Sequence, residues 1–478
     1  MKVPVVIRKI TSPHQTESFK NFRPLSKEMG REIEKTVAEI FDSLGGPSLL
    51  KESRRVYIKP NAVDAKAYTH TRVEVLEAVI RYWQAAGADK IYLFENATQA
   101  NYTRLVFRAA GYTRLCRKTG ALPVYLDEES SEVVPFGGKS EAGPGNPEGY
   151  DLTECRMPAT VMTLIREREK HLYINVPKLK THSMGVVTLG IKNQWGLPMH
   201  VSRGYDHNYN LPHKLVDVLS MIRPDLTLIE GIEGTVNGHF PATALADRVV
   251  KPFRILIGSR NIVAADMVGA KVFGLEVKDV PHLQISIDRG LGEGVSSLKD
   301  ISLQGDITSL KKIDLLGDMP AEGHYSWNLV PEYHDDVRLI IGKELACPEG
   351  CVNNPLNGLQ IMALDHGGRG GWTMIMGKGF DAGEIASVAG KVFLVGHCAI
   401  EELSEKLTAR LGKKNVYTSG ECNNLKETAE ALFHLMKVSP ASYIKMNPLL
   451  TLKELVTAKI KGSSSRVPSS VSNFFKLV

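Results

Sequence analysis

Between Tyr173 and Gly196 the chain packs three lysines (Lys178, Lys180, Lys192), His182, Asn193 and three glycines behind a short apolar run. Each type has a use in a site. Lysine ammonium groups are point charges suited to carboxylate or phosphate, and a desolvated lysine can act as nucleophile or tether. A neutral histidine moves a proton near neutral pH or ligates a metal. Glycines let backbone N–H groups approach a ligand closely. The competing reading is a surface loop with solvated lysines. The density of mixed types favours a site, with His182 and Lys192 as catalytic candidates and Lys178, Lys180, Lys192 and Asn193 as holders of an anionic cofactor or small anionic ligand. His207, 15 positions beyond Lys192, is the candidate metal ligand, with His200 and His213 as competitors.

Two other sets could carry chemistry. Cys347, Cys351, Cys398 and Cys422 all fall in the last third, and Cys-Pro-Glu-Gly-Cys lies within the spacing of zinc or cluster half-sites. Four thiolates could hold an iron–sulfur cluster or another metal; ordinary buried thiols are the alternative, because no Cys-x-x-Cys pair is present. Glu95, Glu230, Glu233 and Asp266 are carboxylates that could serve as acid, base or metal ligand, Glu230 and Asp266 being the catalytic candidates. Each alone also reads as a cap or turn residue.

The elements that would position these groups follow one grammar. Residues 14–45 are helix-like up to Gly45-Gly46-Pro47. Arg55–Asn61 reads as a strand, Thr71 and Glu74 as a capping box opening a helix that stops at Gly87, and Lys90–Glu95 as a second strand. Such a βαβ unit implies a parallel sheet with ligands beyond the carboxyl ends of its strands, which places Lys59 and Asn61, as cofactor-binding candidates, on one rim with Glu95 and Asn96. Strands at 171–176, 226–230 and 254–258 are expected to add their ends to that rim. Residues 137–150 have pure turn composition. The expected class is α/β: a larger parallel-sheet, Rossmann-like domain over 1–285, a linker or crossover over 286–335, a smaller α/β domain over 336–440 with a cleft between the two, and a basic Ser-rich tail over 441–478. In the tail, Leu449–Lys461 reads as a docked or solvated amphipathic helix, with membrane-surface association as the alternative.

Composition removes whole classes. With 59 basic and 53 acidic residues, net +6, and no basic stripe interleaved with aromatics, nucleic acid is not an expected partner. No apolar run approaches a bilayer span, charges at Lys2 and Arg8 bound the N-terminal apolar run, and six cysteines in 478 residues make no disulfide framework; the expected location is cytoplasmic. Walker A, Gly-x-Gly-x-x-Gly after the first strand and Gly-x-Ser-x-Gly are all missing.

Lys59-Pro60-Asn61, Gly87-Ala88-Asp89, Pro177-Lys178-Leu-Lys180-Thr-His182, Gly190-Ile-Lys192-Asn193-x-Trp195-Gly196 and Ala265-Asp266 together resemble the domain-of-unknown-function family 362, over about 55–285. Members often carry an appended ferredoxin domain, whose cysteine runs are missing here; the resemblance implies a redox or cofactor context without an assigned reaction. The order of elements is also remotely similar to the nickel-pincer lactate racemase family. That likeness implies His182 as acid/base, Lys192, ten positions on, as cofactor tether and His207 as metal ligand. The racemases' other catalytic histidine corresponds to a stretch holding Asn96, Thr98 and Gln99, which argues against two-base racemisation. The expected function is an enzyme performing redox or proton-transfer, isomerase-like chemistry on a small anionic substrate, as a possible homo-oligomer. The alternatives are an electron-transfer protein with a redox partner and a non-catalytic anion-binding module.

Overall fold

A computed structural model describes residues 2–465 apart from 15–17, 21–23, 64–65, 99–100, 136–153, 201–210, 237, 314–332, 421–423, 440–441 and 443–446. His207, Cys422 and the turn-rich stretch 137–150 therefore lie outside the described residues.

The chain opens with strand β1 (Val3–Lys9) and helix α1 (Lys27–Ser43), whose Ser26 cap accepts the Met29 N–H. Then come β2 (Arg55–Pro60), α2 (Val73–Ala85), β3 (Lys90–Glu95), α3 (Thr103–Ala109) and β4 (Leu122–Tyr125). The expected βαβ unit is present, but its start is built differently. Arg72 is the N-cap, with no side-chain cap bond, while the Thr71 hydroxyl donates to the Val176 carbonyl and accepts from the Asn61 N–H. Thr71 thus ties the rim together instead of capping the helix.

Strands β5 (His171–Val176), β6 (Leu226–Gly231) and β7 (Ile255–Ser259), helix α4 (Ile262–Val272) and strand β8 (Ile301–Gly305) complete an eight-stranded sheet in the order β8-β1-β7-β6-β5-β2-β3-β4. Successive residues point to opposite faces of a strand, and both faces here are apolar. Tyr57, Phe94, Tyr173, Ile229 and Ile257 join one core; Ile58, Leu93, Ile174, Leu228 and Leu256, their strand neighbours, join another on the reverse side.

Two expectations need correction. Strand β7 pairs antiparallel with both β6 and β1, so its carboxyl end lies at the opposite rim. The stretch 286–335 holds β8, an edge strand of the main sheet parallel to β1.

The smaller unit is a four-stranded, fully parallel sheet, β9 (Val337–Ile341), β10 (Trp372–Met376), β11 (Lys391–Val395) and β12 (Val416–Thr418), with helix α5 (Asn354–His366) between β9 and β10. It meets the larger unit through polar contacts. Asp365 accepts from Lys66 Nζ at 2.8 Å and from the Thr243 and Ala244 N–H groups at 2.8 and 3.0 Å. The Asn353 amide donates to the Ser183 carbonyl at 2.8 Å. A last helix, α6 (Pro448–Ile460), returns to the larger unit. No helix among the described residues is long and apolar enough to cross a membrane.

Candidate functional site

Strands β2, β3, β5 and β6 run parallel, so their carboxyl ends converge. Lys59 near the end of β2 and Glu95 at the end of β3 are both buried and form an ion pair at 2.7 Å. Glu95 also accepts the N–H groups of Ala62 (3.1 Å) and Asn96 (2.9 Å). Burial pushes the Glu95 carboxyl above its usual range, against the pull of Lys59. Gly196 packs directly on the pair: a methyl there would lie 2.3 Å from Glu95 Oε1 and 2.8 Å from Lys59 Nζ. That crowding is a physical reason for glycine at the end of Gly190–Gly196.

A run of side-chain amides ties the strand ends to the short helix Gly190–Asn193. Asn61 donates to Asn193 Oδ1 (2.8 Å), Asn193 to Asn175 Oδ1 (2.7 Å), and Asn175 to the Gly190 carbonyl (2.9 Å). From behind, Asp266 accepts the N–H groups of Gly190 (2.6 Å) and Ile191 (2.8 Å), one on each oxygen. Its fully buried carboxyl is pushed up to about 7 by desolvation, against those two N–H groups. A methyl on Gly190 would come within 2.8 Å of Asp266 Oδ1, so the approach needs glycine. These anchors fix the helix that carries Lys192.

His182 sits on a tight hairpin, Lys180–His182 against Val186–Thr188. Its Nδ1 accepts the Met184 and Gly185 N–H groups, both at 3.0 Å, which puts the proton of the neutral ring on Nε2. The turn ends with Val186 at φ +64°, a strained conformation for a β-branched residue. His239 stacks on His182, ring centres 4.0 Å apart and planes within 8°. The Ser183 hydroxyl donates to Met184 Sδ and lies 3.1 Å from His239 Nδ1, a hydrogen bond whose donor is set by the tautomer of His239. A methyl on Gly185 would touch His182 Nδ1 and Lys192 Cε equally, at 3.6 Å, which places the lysine stem beside the imidazole.

These groups line a half-open chamber of about 60 Å³, with Lys59, Asn61, Glu95, His182, Lys192 and His239 on its wall beside Asn193, Trp195, Asn96 and Thr98. That volume takes a few water molecules or a small anion.

The other candidates are placed elsewhere. Lys178 is buried between Glu230 (2.8 Å) and Glu233 (3.0 Å), and Glu233 also receives Arg72 Nε (2.8 Å) and His14 (3.2 Å). Against the effect of burial, Arg72 and Lys178 hold the Glu233 carboxyl well below its usual range, whereas burial outweighs Lys178 at Glu230 and raises it. Lys180 donates to the Thr69 carbonyl at 2.5 Å, and burial, with Lys192 and Lys178 nearby, pushes its amine well below the usual range. Lys178, Lys180, Glu230 and Asp266 therefore brace the rim and do not line the chamber. Cys347 and Cys351 are buried, Cys398 is half-buried, and none of the three is in a disulfide. Among the described residues no three His, Cys, Asp or Glu side chains gather as a metal site. Sequence reasoning passed over His239, although it ends a Gly-containing turn beyond β6, the same signal that singled out other strand ends.

Residues 56–271, from β2 into α4, match the sequence profile of the domain of unknown function DUF362. This stretch is a DUF362 domain. The DUF362 stretch thus includes every residue named on the chamber, while β1, β8 and the whole smaller unit lie outside it. A thylakoid-associated protein of Synechocystis is 26% identical over 275 residues, covering 54% of this chain and 75% of the relative. A crystal structure of a Thermotoga maritima protein aligns with 43% of this chain at 13% identity and a TM-score of 0.27, too slight a likeness to carry an argument, and this chain covers 50% of its length.

Proposed function

We propose that the DUF362 domain is an enzyme that holds a small carboxylate- or phosphate-bearing substrate against Lys192 and moves a proton with His182 and His239. The observation that carries this reading is the stacked pair of imidazoles, His182 and His239, on the wall of the chamber beside Lys192, with Nδ1 of His182 held by two backbone N–H groups so that its neutral ring presents Nε2–H. On a short 2-oxo acid, His239 would take the proton from the carbon beside the carbonyl. The C–H electron pair would form the enol double bond, and His182 Nε2–H would protonate the carbonyl oxygen. Because both rings stand on one wall, and Asn96 and Thr98 line the chamber without an imidazole there, the reading is a one-sided proton shift, not a two-base racemisation. No step is routed through the pincer nucleotide that the racemase resemblance implies.

Proton NMR of pyruvate in D2O tests this. Wild-type protein should exchange the methyl protons about 100-fold or more above buffer, and His239→Gln should remove most of that gain. Exchange no faster than buffer, or undiminished in His239→Gln and Lys192→Ala, would refute the reading.

A further inference from the structure

Helix α6 is apolar on two faces, of which the described residues cover one. Thr451, Glu454, Leu455 and Ala458 face inward, where Leu455 and Ala458 pack with Tyr102, and Arg108 Nε holds Glu454 at 3.0 Å. Beyond the helix, Ser463 and Ser465 bond to Asp127 and the Asn101 carbonyl, which pins the far end. The opposite face carries Leu449, Val456 and Ile460, 77%, 47% and 78% exposed, spaced seven and four residues apart and so stacked along one side. With Leu450, these are four of the seven large hydrophobics exposed among the described residues. The charges on this face have one sign. Lys453, Lys459 and Lys461 are exposed, while the helix's single acidic residue, Glu454, is buried in its bond to Arg108.

We infer that this face of α6 docks on an anionic bilayer surface, with Leu449, Val456 and Ile460 in the headgroup boundary and the lysines on lipid phosphates. The charge pattern decides the occupant: a second copy apposed through the same face would bring lysines against lysines. The helix lies flat on the domain, which suits a surface anchor.

The test is flotation of the full chain with phosphatidylcholine vesicles with or without phosphatidylglycerol. Binding should require the anionic lipid and weaken as salt rises. Lys453→Gln with Lys459→Gln should weaken it about fivefold per charge, and Leu449→Glu with Ile460→Glu should abolish it. Both pairs lie on the exposed face, so far-UV circular dichroism and melting should match wild type. Absence of flotation, or equal flotation of wild type and Leu449→Glu/Ile460→Glu, would overturn the inference. So would a dimer in light scattering that dissociates in that variant without lipid.

Discussion

At the scale of single residues, the site depends on groups that never touch the chamber. Asp266 holds both N–H groups at the start of the Lys192 helix. An asparagine keeps one acceptor and turns an NH2 toward the other N–H, so Asp266→Asn should cost about 1–3 kcal/mol and let Lys192 shift. The pH dependence has a definite sign. The folded carboxyl titrates near 7 against 3.8 for the ordinary group, so between those values the folded chain holds a proton that the unfolded chain has lost. This group's contribution to stability is full below about pH 4, falls as pH rises through that window and levels off above about 7. Asp266→Asn should flatten that slope in urea unfolding measured from pH 5 to 8. Gly196→Ala would drive a methyl into the Lys59–Glu95 pair and should lower stability by about 1–3 kcal/mol in thermal melts. Lys59 and Asn61, singled out as strand-end residues, and His182, Lys192 and Asn193, singled out by residue type, all line the chamber. Residue type could not separate Lys192 from Lys178 and Lys180, because backbone pairing decides where those ammonium groups go. Lys178 bridges to Glu230 of the neighbouring strand, and Lys180 reaches back to Thr69.

At the scale of elements, Pro, Gly and helical periodicity made the βαβ unit and most strands of both sheets readable. The reversal of β7 was not, since an all-apolar buried strand carries no mark of its direction; only its pairing with β1 and β6 shows it. Strand β1 and the edge strand β8 were missed for a related reason: they pair with each other from the far ends of the larger unit's sequence. The contact between the two units has its own test. Asp365 is held near 2 by Lys66 and two backbone N–H groups against the cost of burial, so it is ionised at neutral pH and keeps Lys66 paired. Asp365→Ala would leave that buried ammonium short of a partner. It should cost about 3–5 kcal/mol, read as a lowered or split melting transition, while Asp365→Asn should cost less.

At the scale of the whole molecule, a DUF362 domain supplies the chamber and the smaller unit closes on its hairpin through Asn353 and Ser183. Asn353→Ala should therefore loosen the turn that orients His182 and His239 and slow proton exchange more than it weakens anion binding. Comparing exchange rates with titrated affinities separates the two effects. The most direct test of the account is calorimetric titration of the full chain with inorganic phosphate and with pyruvate, wild type against Lys192→Ala. The account predicts binding to wild type that weakens about 30-fold in the variant, the loss of one charge-assisted hydrogen bond of about 2 kcal/mol. No binding of either anion to wild type, or equal affinity in both proteins, would contradict it.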